Sequence, residues 1–362
     1  MESLAGYSQC YTLIADVFLY RQAIKKNLRR NVRMAKNVNG AFGFFNDDYV
    51  NLKPKRVTSA RDSRDWLLDQ IKLFPGKIDN FPILYNEKHI KFGSFARNTK
   101  IRPLDDIDLI VTFSAQGSTY TCIEQGKKYF LSVLDSVKDL KSLCNDNGFL
   151  NSIKVVNKIV SSLNQISQYS SAELHRNQEA ATLKLSSYEW NFDIVPSFYT
   201  DQGFYLIPDG KGAWKASNPK IDQDRVSSIN QKHSGNILQI IRTLKYWNRR
   251  ASMSTIPSYL FETLILNYFN EKDEISDYID VNLINFWGAL VSQIYSVVND
   301  PKGFQGDINT LSSEQCDSIS ERTKATYEKA LEAYKIETEE KNQEKAINKW
   351  RNIFGNDFPK YE

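Results

Sequence analysis

Hydrophobic and polar residues alternate with a period of two in the middle of the chain, which is the pattern of half-buried β-strands. Residues 89–94 predict a strand that runs into a Gly-Ser turn, and residues 106–113 predict a second strand. Residues 181–187 and 188–198 predict two further strands joined by a polar turn. Together these segments indicate a mixed sheet in the middle of the chain.

Segments with the spacing of amphipathic helices lie on both sides of the predicted sheet and between its strands. The second of these helices is expected to begin with Ser63 as its N-cap. Two segments rich in glycine and proline, 203–214 and 216–220, predict loops. Helices are predicted at residues 1–45, 63–74, 124–168, 227–250, 258–270, 280–299 and 318–353. The pattern therefore predicts a helix, a mixed α/β lobe and then a helical lobe.

The length and composition narrow the class of protein. The chain has 362 residues, which suggests two lobes with a sizeable core. Its 47 Lys and Arg against 43 Asp and Glu give a formal net charge of +4, and 41% of its residues are hydrophobic. This balance argues against a disordered chain and against a uniformly basic nucleic-acid coat protein. A nucleotide enzyme stays open, because it needs only local positive charge.

The cysteines and histidines exclude other classes. The four cysteines have no CxxC spacing and only three histidines are present, so neither a structural zinc site nor a disulfide framework is predicted. A reducing cytoplasm fits this composition best. The first twenty residues lack a basic start and contain Asp16, which argues against a signal peptide. No stretch approaches ~18 uninterrupted apolar residues, so no membrane partner is expected.

A basic run marks the N-terminal part of the chain. Seven Lys and Arg residues lie between Arg21 and Lys36, and no acid lies between Asp16 and Asp47. The simpler interpretation is a solvated helix face. The alternative is a groove that binds phosphate backbones, which would make a regulatory nucleic acid a partner.

The candidate chemistry lies in acidic residues on the predicted strands. Asp106 and Asp108 are two residues apart, so their side chains point to the same face, and Asp193 lies between two apolar residues on a later strand. Neighbouring carboxylates repel each other unless a cation lies between them. Mg²⁺ prefers oxygen ligands and also binds substrate phosphates. Gly93 and Ser94 lie on the turn just upstream, where backbone N–H groups and a hydroxyl can approach a phosphate.

These segments resemble a known family. FGSFARNT at 92–99 and DDIDLIV at 105–111 resemble the signature of the polymerase-β-like nucleotidyltransferases. Within that superfamily the chain is similar to the bacterial cyclic-oligonucleotide synthases related to cyclic GMP–AMP synthase and oligoadenylate synthase, the CD-NTase family (SMODS domain). WNFDIVPSF at 190–198 resembles the family's third-acid strand, while NILQIIRTLKYWN at 236–248 and PSYLFETL at 257–264 resemble helices beside the triphosphate. The resemblance extends over roughly residues 60–362.

The resemblance implies an α+β fold with two lobes and an active site in the cleft between them. One lobe is a polymerase-β-like nucleotidyltransferase lobe, with a mixed β-sheet and helices, and the other is a C-terminal helical lobe. Residues 1–58 would form an N-terminal helix that braces the lobes, 59–218 the catalytic domain, and 219–362 the helical, oligoadenylate-synthase-like domain.

The resemblance also implies roles for particular residues. Two Mg²⁺ ions, with Mn²⁺ as an alternative, would be bound by the three acids that carry catalysis, Asp106, Asp108 and Asp193. Alternation favours Asp106 over Asp105 as the ligand, so Asp105 is expected to be a flanking surface acid. The nucleotide would be bound by Gly93, Ser94, Lys245, Ser258 and Tyr259, with Tyr259 near a base.

The implied reaction joins nucleoside triphosphates into a cyclic di- or oligonucleotide second messenger and releases pyrophosphate. The implied setting is bacterial antiphage signalling of the CBASS type. The substrates would be drawn from ATP, GTP, UTP and CTP, and the product would act on a separate effector. Two alternatives stay open on the residues alone. One is a template-independent transferase that adds nucleotides to RNA or to a protein, and the other is an inactive ligand or nucleic-acid sensor on the same fold.

Overall fold

The structure, a computed structural model, describes residues 33–123 and 126–362. In these ranges the fold is α+β with two lobes, one built on a mixed sheet and one helical. The strands are β1 (Met34–Ala35), β2 (Ile90–Phe92), β3 (Asp106–Phe113), β4 (Thr119–Ile123), β5 (Lys128–Ser132), β6 (Glu173–Asn177), β7 (Ala180–Lys184), β8 (Asn191–Tyr199), β9 (Tyr205–Pro208), β10 (Trp214–Ser217) and β11 (Lys360–Tyr361). The helices are α1 (Val38–Phe45), α2 (Pro54–Lys72), α3 (Phe74–Lys77), α4 (Gly93–Ala96), α5 (Lys138–Lys141), α6 (Ser152–Leu163), α7 (Pro219–Lys232), α8 (Ile237–Arg250), α9 (Ser258–Asn270), α10 (Ile279–Gln293), α11 (Ser313–Thr338) and α12 (Gln343–Phe354).

Within the described residues, the sheet of the first lobe has nine strands. Seven follow the order β2-β3-β8-β9-β10-β5-β4, and β7 pairs with both β8 and β6. The β3–β8 pair is parallel, whereas the other pairs described in this sheet are antiparallel. Because β3 and β8 run in the same direction, the residues that begin both strands lie at one edge of the sheet.

The register of β3 is fixed by burial on both of its faces. Ile107, Leu109 and Val111 pack into the main core of the sheet lobe, while Ile110 packs with Val195 in a smaller cluster on the opposite face. A shift by one residue would exchange these two sets of side chains, so the register is strongly specified. The acidic residues at the start of the strand are therefore held in place by the apolar residues that follow them.

The helical lobe has a separate aromatic core. Phe42, Trp247, Trp287 and Trp350 are fully buried in it. Helix α1 packs into this core although it precedes the sheet in sequence, and the Phe42 and Trp350 ring centroids are 4.9 Å apart. In addition, β1 pairs in parallel with the C-terminal strand β11. The segment that precedes the sheet is thus joined to the end of the chain.

Several predicted element boundaries are wrong. Of the predicted 1–45 helix, residues 1–32 lie outside the described ranges, and the described part begins with strand β1 before α1 starts at Val38. Helix α2 begins at Pro54 and not after Ser63, because proline has the backbone angle of a first helical turn. Residues 128–132 form strand β5 within a segment predicted to be helical, and their burial alternates.

Other differences come from turns. The predicted loops at 203–214 and 216–220 contain β9 and β10, and glycines with positive φ, Gly210 and Gly212, lie in the connection between them. The predicted 227–250 helix is two helices, α7 and α8, separated at Ser234 and Gly235, which also have positive φ. The structure confirms the type and approximate position of six predicted elements, which are strands β2, β3, β7 and β8 and helices α9 and α10. In the part of the chain that the structure describes, no helix has the length and apolar character needed to cross a bilayer. The boundaries 1–58, 59–218 and 219–362 stay a prediction.

Candidate active site

Three carboxylates meet at one edge of the sheet. Asp108 on β3 and Asp193 on β8 are direct partners in the parallel register, and Asp106 lies two residues before Asp108. Side chains at these positions share a face of the sheet, and neighbouring strands are about 4.8 Å apart. The Thr182 hydroxyl, from the adjacent strand β7, donates a hydrogen bond of 2.6 Å to Asp193 Oδ1. The sheet therefore assembles the three acids that the sequence predicted.

Among the described residues, the cations near Asp106 and Asp108 do not offset burial and the repulsion from neighbouring carboxylates. Burial and the nearby carboxylates of Asp106 and Asp193 raise the pKa of Asp108 to about 7. Burial also raises the pKa of Asp106, although the Lys100 ammonium opposes this. Lys100 forms ion pairs with Asp106 and with the exposed Asp105. A further cation near Asp108 would relieve the repulsion, which is the property expected of a metal-binding site.

Gly93 brings the Gly-Ser turn into direct contact with this acidic group. Its φ is +74°, and a Cβ at this position would lie 1.7 Å from Asp108 Oδ2. Any side chain would therefore displace the carboxylate as well as strain the backbone. Ser94 follows at the start of the short helix α4, so the predicted phosphate turn lies against the predicted metal ligands.

A cavity of about 270 Å³ extends from the turn toward the helical lobe. Ser94, Lys100, Lys245 and Ser258 are among the residues that line it, so three of the five predicted nucleotide-binding residues share one cavity. Ser258 is exposed at the first position of α9. The geometry thus places hydroxyl and ammonium groups from both lobes around a single space.

Lys245 and Glu262 form a buried ion pair within this site. The Lys245 ammonium contacts Glu262 Oε2, lies 3.3 Å from Thr99 Oγ1, and is only 8% exposed. Arg97 Nε donates to the other oxygen of Glu262 at 2.7 Å. Sequence reasoning missed Glu262. The available signal was a single charged residue in the sequence of α9, between Phe261 and Thr263.

Tyr259 has a different environment from the residues around the cavity. Its hydroxyl lies 2.9 Å from Asp222 Oδ1 and 3.0 Å from Asp300 Oδ1, and the Lys302 ammonium lies 4.0 Å from its ring centroid. Burial and these two carboxylates raise the pKa of Tyr259 far above its usual range. The ring is therefore held in a fixed orientation by polar contacts, and its proposed contact with a base stays a prediction.

The carboxylates are a suitable donor set for a divalent ion, but they are not arranged around one position here. Across residues 33–123 and 126–362, no three acidic, histidine or cysteine side chains form a group that could hold a metal ion. The Lys100 ammonium contacts Asp106 instead. Hard oxygen ligands on adjacent strands and the raised pKa of Asp108 nevertheless fit Mg²⁺ or Mn²⁺.

Comparison with known proteins identifies the family. No protein-family model matches the chain. A protein from Bacillus cereus (strain VD146) named "probable cyclic nucleotide synthase" is 45% identical over 335 residues, which are 91% of this chain and 100% of that protein. The chain belongs to the bacterial cyclic nucleotide synthases. It is therefore a nucleotidyltransferase of the CD-NTase family, as its motifs predicted.

More distant relatives agree with this assignment. A cyclic AMP-AMP-AMP synthase of Acinetobacter sp. (strain ATCC 27244 / 9458) is 26% identical over 200 residues, which are 52% of this chain and 56% of that protein. The structure of Escherichia coli MS115-1 CdnC with ATP superposes with a TM-score of 0.65 at 15% identity. This alignment covers 88% of this chain and 98% of CdnC, so the two-lobed fold predicted from the family resemblance is confirmed.

Proposed function

We propose that this synthase joins nucleoside triphosphates into a cyclic di- or oligonucleotide and releases pyrophosphate. In each step a ribose hydroxyl of one nucleotide would displace pyrophosphate from the α-phosphorus of another. The last step would join the two ends of the same molecule. The observation that carries the proposal is the register pairing of Asp108 with Asp193, next to Asp106 and Gly93.

Asp106, Asp108 and Asp193 would hold two Mg²⁺ ions, with Mn²⁺ as a substitute. Such ions, when bound, neutralise phosphate charge and lower the pKa of an attacking hydroxyl. The chain's own part is to hold the three carboxylates on a strand pair whose register is fixed by buried residues. The Thr182 hydroxyl would keep Asp193 oriented by its hydrogen bond.

The turn and the cavity would bind and orient the triphosphate. Backbone N–H groups at Gly93 and Ser94 would contact phosphate oxygens, while Lys245 and Ser258 would contact the end of the triphosphate. Tyr259 would lie beside a base. Positioning the α-phosphorus against an attacking hydroxyl accounts for most of the rate enhancement expected of such an enzyme.

We propose ATP as one substrate, because the Acinetobacter relative is named a cyclic AMP-AMP-AMP synthase. We also propose that the enzyme acts in the cytoplasm and that its product activates a separate effector in antiphage defence. The predicted nucleic-acid contact of the basic run 21–36 falls mostly on residues outside the described ranges and stays a prediction.

Product analysis tests this function. The purified protein is incubated with all four NTPs and Mg²⁺ or Mn²⁺, the reaction is treated with phosphatase, and products are identified by mass spectrometry. A small phosphatase-resistant cyclic product that disappears in Asp106→Asn and Asp108→Asn would support the proposal. Extended RNA or a labelled protein would support the transferase alternative. Absence of any NTP turnover in the wild type would support the sensor alternative.

A further inference from the structure

Glu262 binds three side chains from both lobes with one carboxylate. Its Oε1 accepts from Arg97 Nε at 2.7 Å, and its Oε2 accepts from Thr99 Oγ1 at 2.9 Å and from the Lys245 ammonium. The Glu262 side chain is only 4% exposed and that of Arg97 is 10% exposed. Both carboxylate oxygens are thus occupied inside the protein.

The partners from the sheet lobe are next to the phosphate turn. Arg97 and Thr99 follow Ser94 by three and five residues, and the Thr99 N–H donates to the Ser94 carbonyl at 2.9 Å. Lys245 belongs to helix α8 and Glu262 to helix α9, both in the helical lobe. A single carboxylate therefore connects the turn to two helices that line the opposite side of the cavity.

The charges of this network do not cancel. Burial alone would raise the pKa of Glu262, but the Lys245 and Arg97 cations lower it to about 2. Burial opposes the charge of Arg97, yet the Glu262 carboxylate raises the pKa of its guanidinium. Two cations and one anion give this network an excess of positive charge, beside a cavity lined by Ser94, Lys245 and Ser258 and also by Lys100, Asp105 and Arg249. An anionic ligand in this cavity would be attracted by that charge.

We propose that Glu262 is a positioning residue, which fixes the Gly93–Ser94 turn against helices α8 and α9 and supplies a negative charge between Arg97 and Lys245. This inference rests on the proposed nucleotidyl transfer and gives a role to a residue of the family-like segment 257–264 to which the sequence analysis assigned none. Stability alone is a weak reason for such a group, because buried ion pairs are often no more stabilising than apolar residues of similar volume.

Replacement of Glu262 by Gln separates positioning from binding. Gln keeps one acceptor oxygen and presents an NH₂ group to the cations, so the turn loses part of its attachment, while the network loses its negative charge. We expect kcat to fall at least about 10-fold, because a small misplacement of reacting groups is costly. The KM for ATP is expected to stay the same or decrease. Lys245→Gln removes the positive charge and is expected to raise KM instead.

Two further variants keep the test interpretable. Thr99→Val has nearly the same volume and loses the hydroxyl that donates to Glu262 and lies 3.3 Å from the Lys245 ammonium, so it serves if Glu262→Gln does not fold, with an expected kcat loss of about 5-fold. Glu271→Gln, at the exposed C-terminal end of the same helix, is the matched control and is expected to keep wild-type kcat and KM. Kinetics are measured well below the melting temperature of each variant.

Amide hydrogen exchange gives a readout that does not depend on activity. In Glu262→Gln, exchange is expected to increase locally in residues 93–101 and to stay unchanged in β8. Wild-type exchange in that segment together with wild-type kcat would overturn the inference, as would a raised KM at unchanged kcat. If the wild type forms no product from NTPs, the proposed function has failed. The positioning role is then judged on exchange alone, with increased exchange supporting it and unchanged exchange overturning it.

Discussion

Two acidic centres lie near the Gly93–Ser94 turn, and their carboxyl pKa values are shifted in opposite directions. At the sheet edge, burial and neighbouring carboxylates raise the pKa of Asp108 to about 7. At the lobe interface, burial works in the same direction on Glu262, but two cations overcome it and lower its pKa to about 2. The charged form of the carboxyl group is therefore disfavoured at Asp108 and favoured at Glu262.

The difference in pKa shift indicates which of the two centres would be stabilised by a ligand from outside the chain. Glu262 has its hydrogen bonds and counter-charges supplied by the chain, so no outside ligand is needed to stabilise it. Asp108 shares a strand with Asp106 and faces Asp193 across the pair, so a cation from outside would stabilise it. Perturbed acids are common both at active sites and in structural ion pairs, and the sign of the shift separates the two cases here.

The largest expected effect is the loss of activity when Asp106 or Asp108 is replaced by a neutral residue. Asp106→Asn and Asp108→Asn each remove a carboxylate that we propose binds divalent ions, and we expect NTP turnover to fall at least about 1000-fold. Pyrophosphate release with Mg²⁺ and ATP measures this loss.

The neighbouring Asp105→Asn is the matched control. Asp105 is exposed, lies just before strand β3 and contacts only Lys100 among the ion pairs described. An exposed ion pair contributes little energy, so we expect Asp105→Asn to retain activity within about 3-fold. Equal losses in Asp105→Asn and Asp106→Asn would contradict the assignment of the metal ligands.

The two centres should also respond oppositely in stability. Without divalent ions, Asp108→Asn should raise the free energy of unfolding by about 1–2 kcal/mol, because a buried, repelled carboxylate is removed. Glu262→Gln should lower it by about 3 kcal/mol, because two buried cations lose a charged partner. Urea unfolding at pH 7.5 in EDTA measures both.

The Glu262 contribution has a defined pH window. Its pKa is lower in the folded protein than the ordinary value of 4.5, so the stabilisation is present above pH 4.5 and is lost as the pH falls toward about 2. The stability difference between wild type and Glu262→Gln should therefore shrink across that range. A difference independent of pH down to 2 would show that Glu262 is not stabilised by its charge.

Contact between the turn and the acids can be tested by adding one methyl group. Gly93→Ala combines a positive φ with a Cβ placed 1.7 Å from Asp108 Oδ2, so we expect about a 100-fold loss of kcat. Gly148→Ala is the control, because Gly148 has a φ of +82° and no atom of the described residues within 4 Å of the added Cβ. It should lose about 1 kcal/mol of stability and keep its activity. Similar kcat losses in both variants would contradict the close-approach explanation.

How much the sequence predicts depends on how local the determining pattern is. The acidic triad was predictable, because alternation within β3 and β8 places each carboxylate on a face. The Glu262 network was not, because Arg97 and Glu262 are 165 residues apart and no local pattern joins them. Residues 128–132 were predicted to be helical because their alternation is short and lies among polar residues. Pairing with β4 and β10, which the local sequence does not show, stabilises them as a strand.

A smaller effect is expected from the support that the sheet gives to the acids. Thr182 is the cross-strand partner of Asp193, and its hydroxyl donates to Asp193 Oδ1 at 2.6 Å. Thr182→Val keeps the shape and removes this donor, so we expect about a 10-fold decrease in kcat, as for other groups that orient metal ligands. Steady-state kinetics with Mg²⁺ and ATP measure the decrease.

Thr121→Val, at an exposed position of β4 in the same sheet, is the control and should leave kcat and KM unchanged. Wild-type kcat in Thr182→Val would mean that the parallel register alone orients Asp193. A loss as large as that of Asp108→Asn would mean that the hydrogen bond, and not the strand pair, holds the carboxylate in place. An intermediate loss of kcat, with the KM for ATP unchanged, would support a role for Thr182 in orienting Asp193. The Thr182 hydroxyl would then stabilise this carboxylate by a hydrogen bond, as Arg97 and Lys245 stabilise Glu262, but as a neutral donor it would leave the charge of Asp193 available.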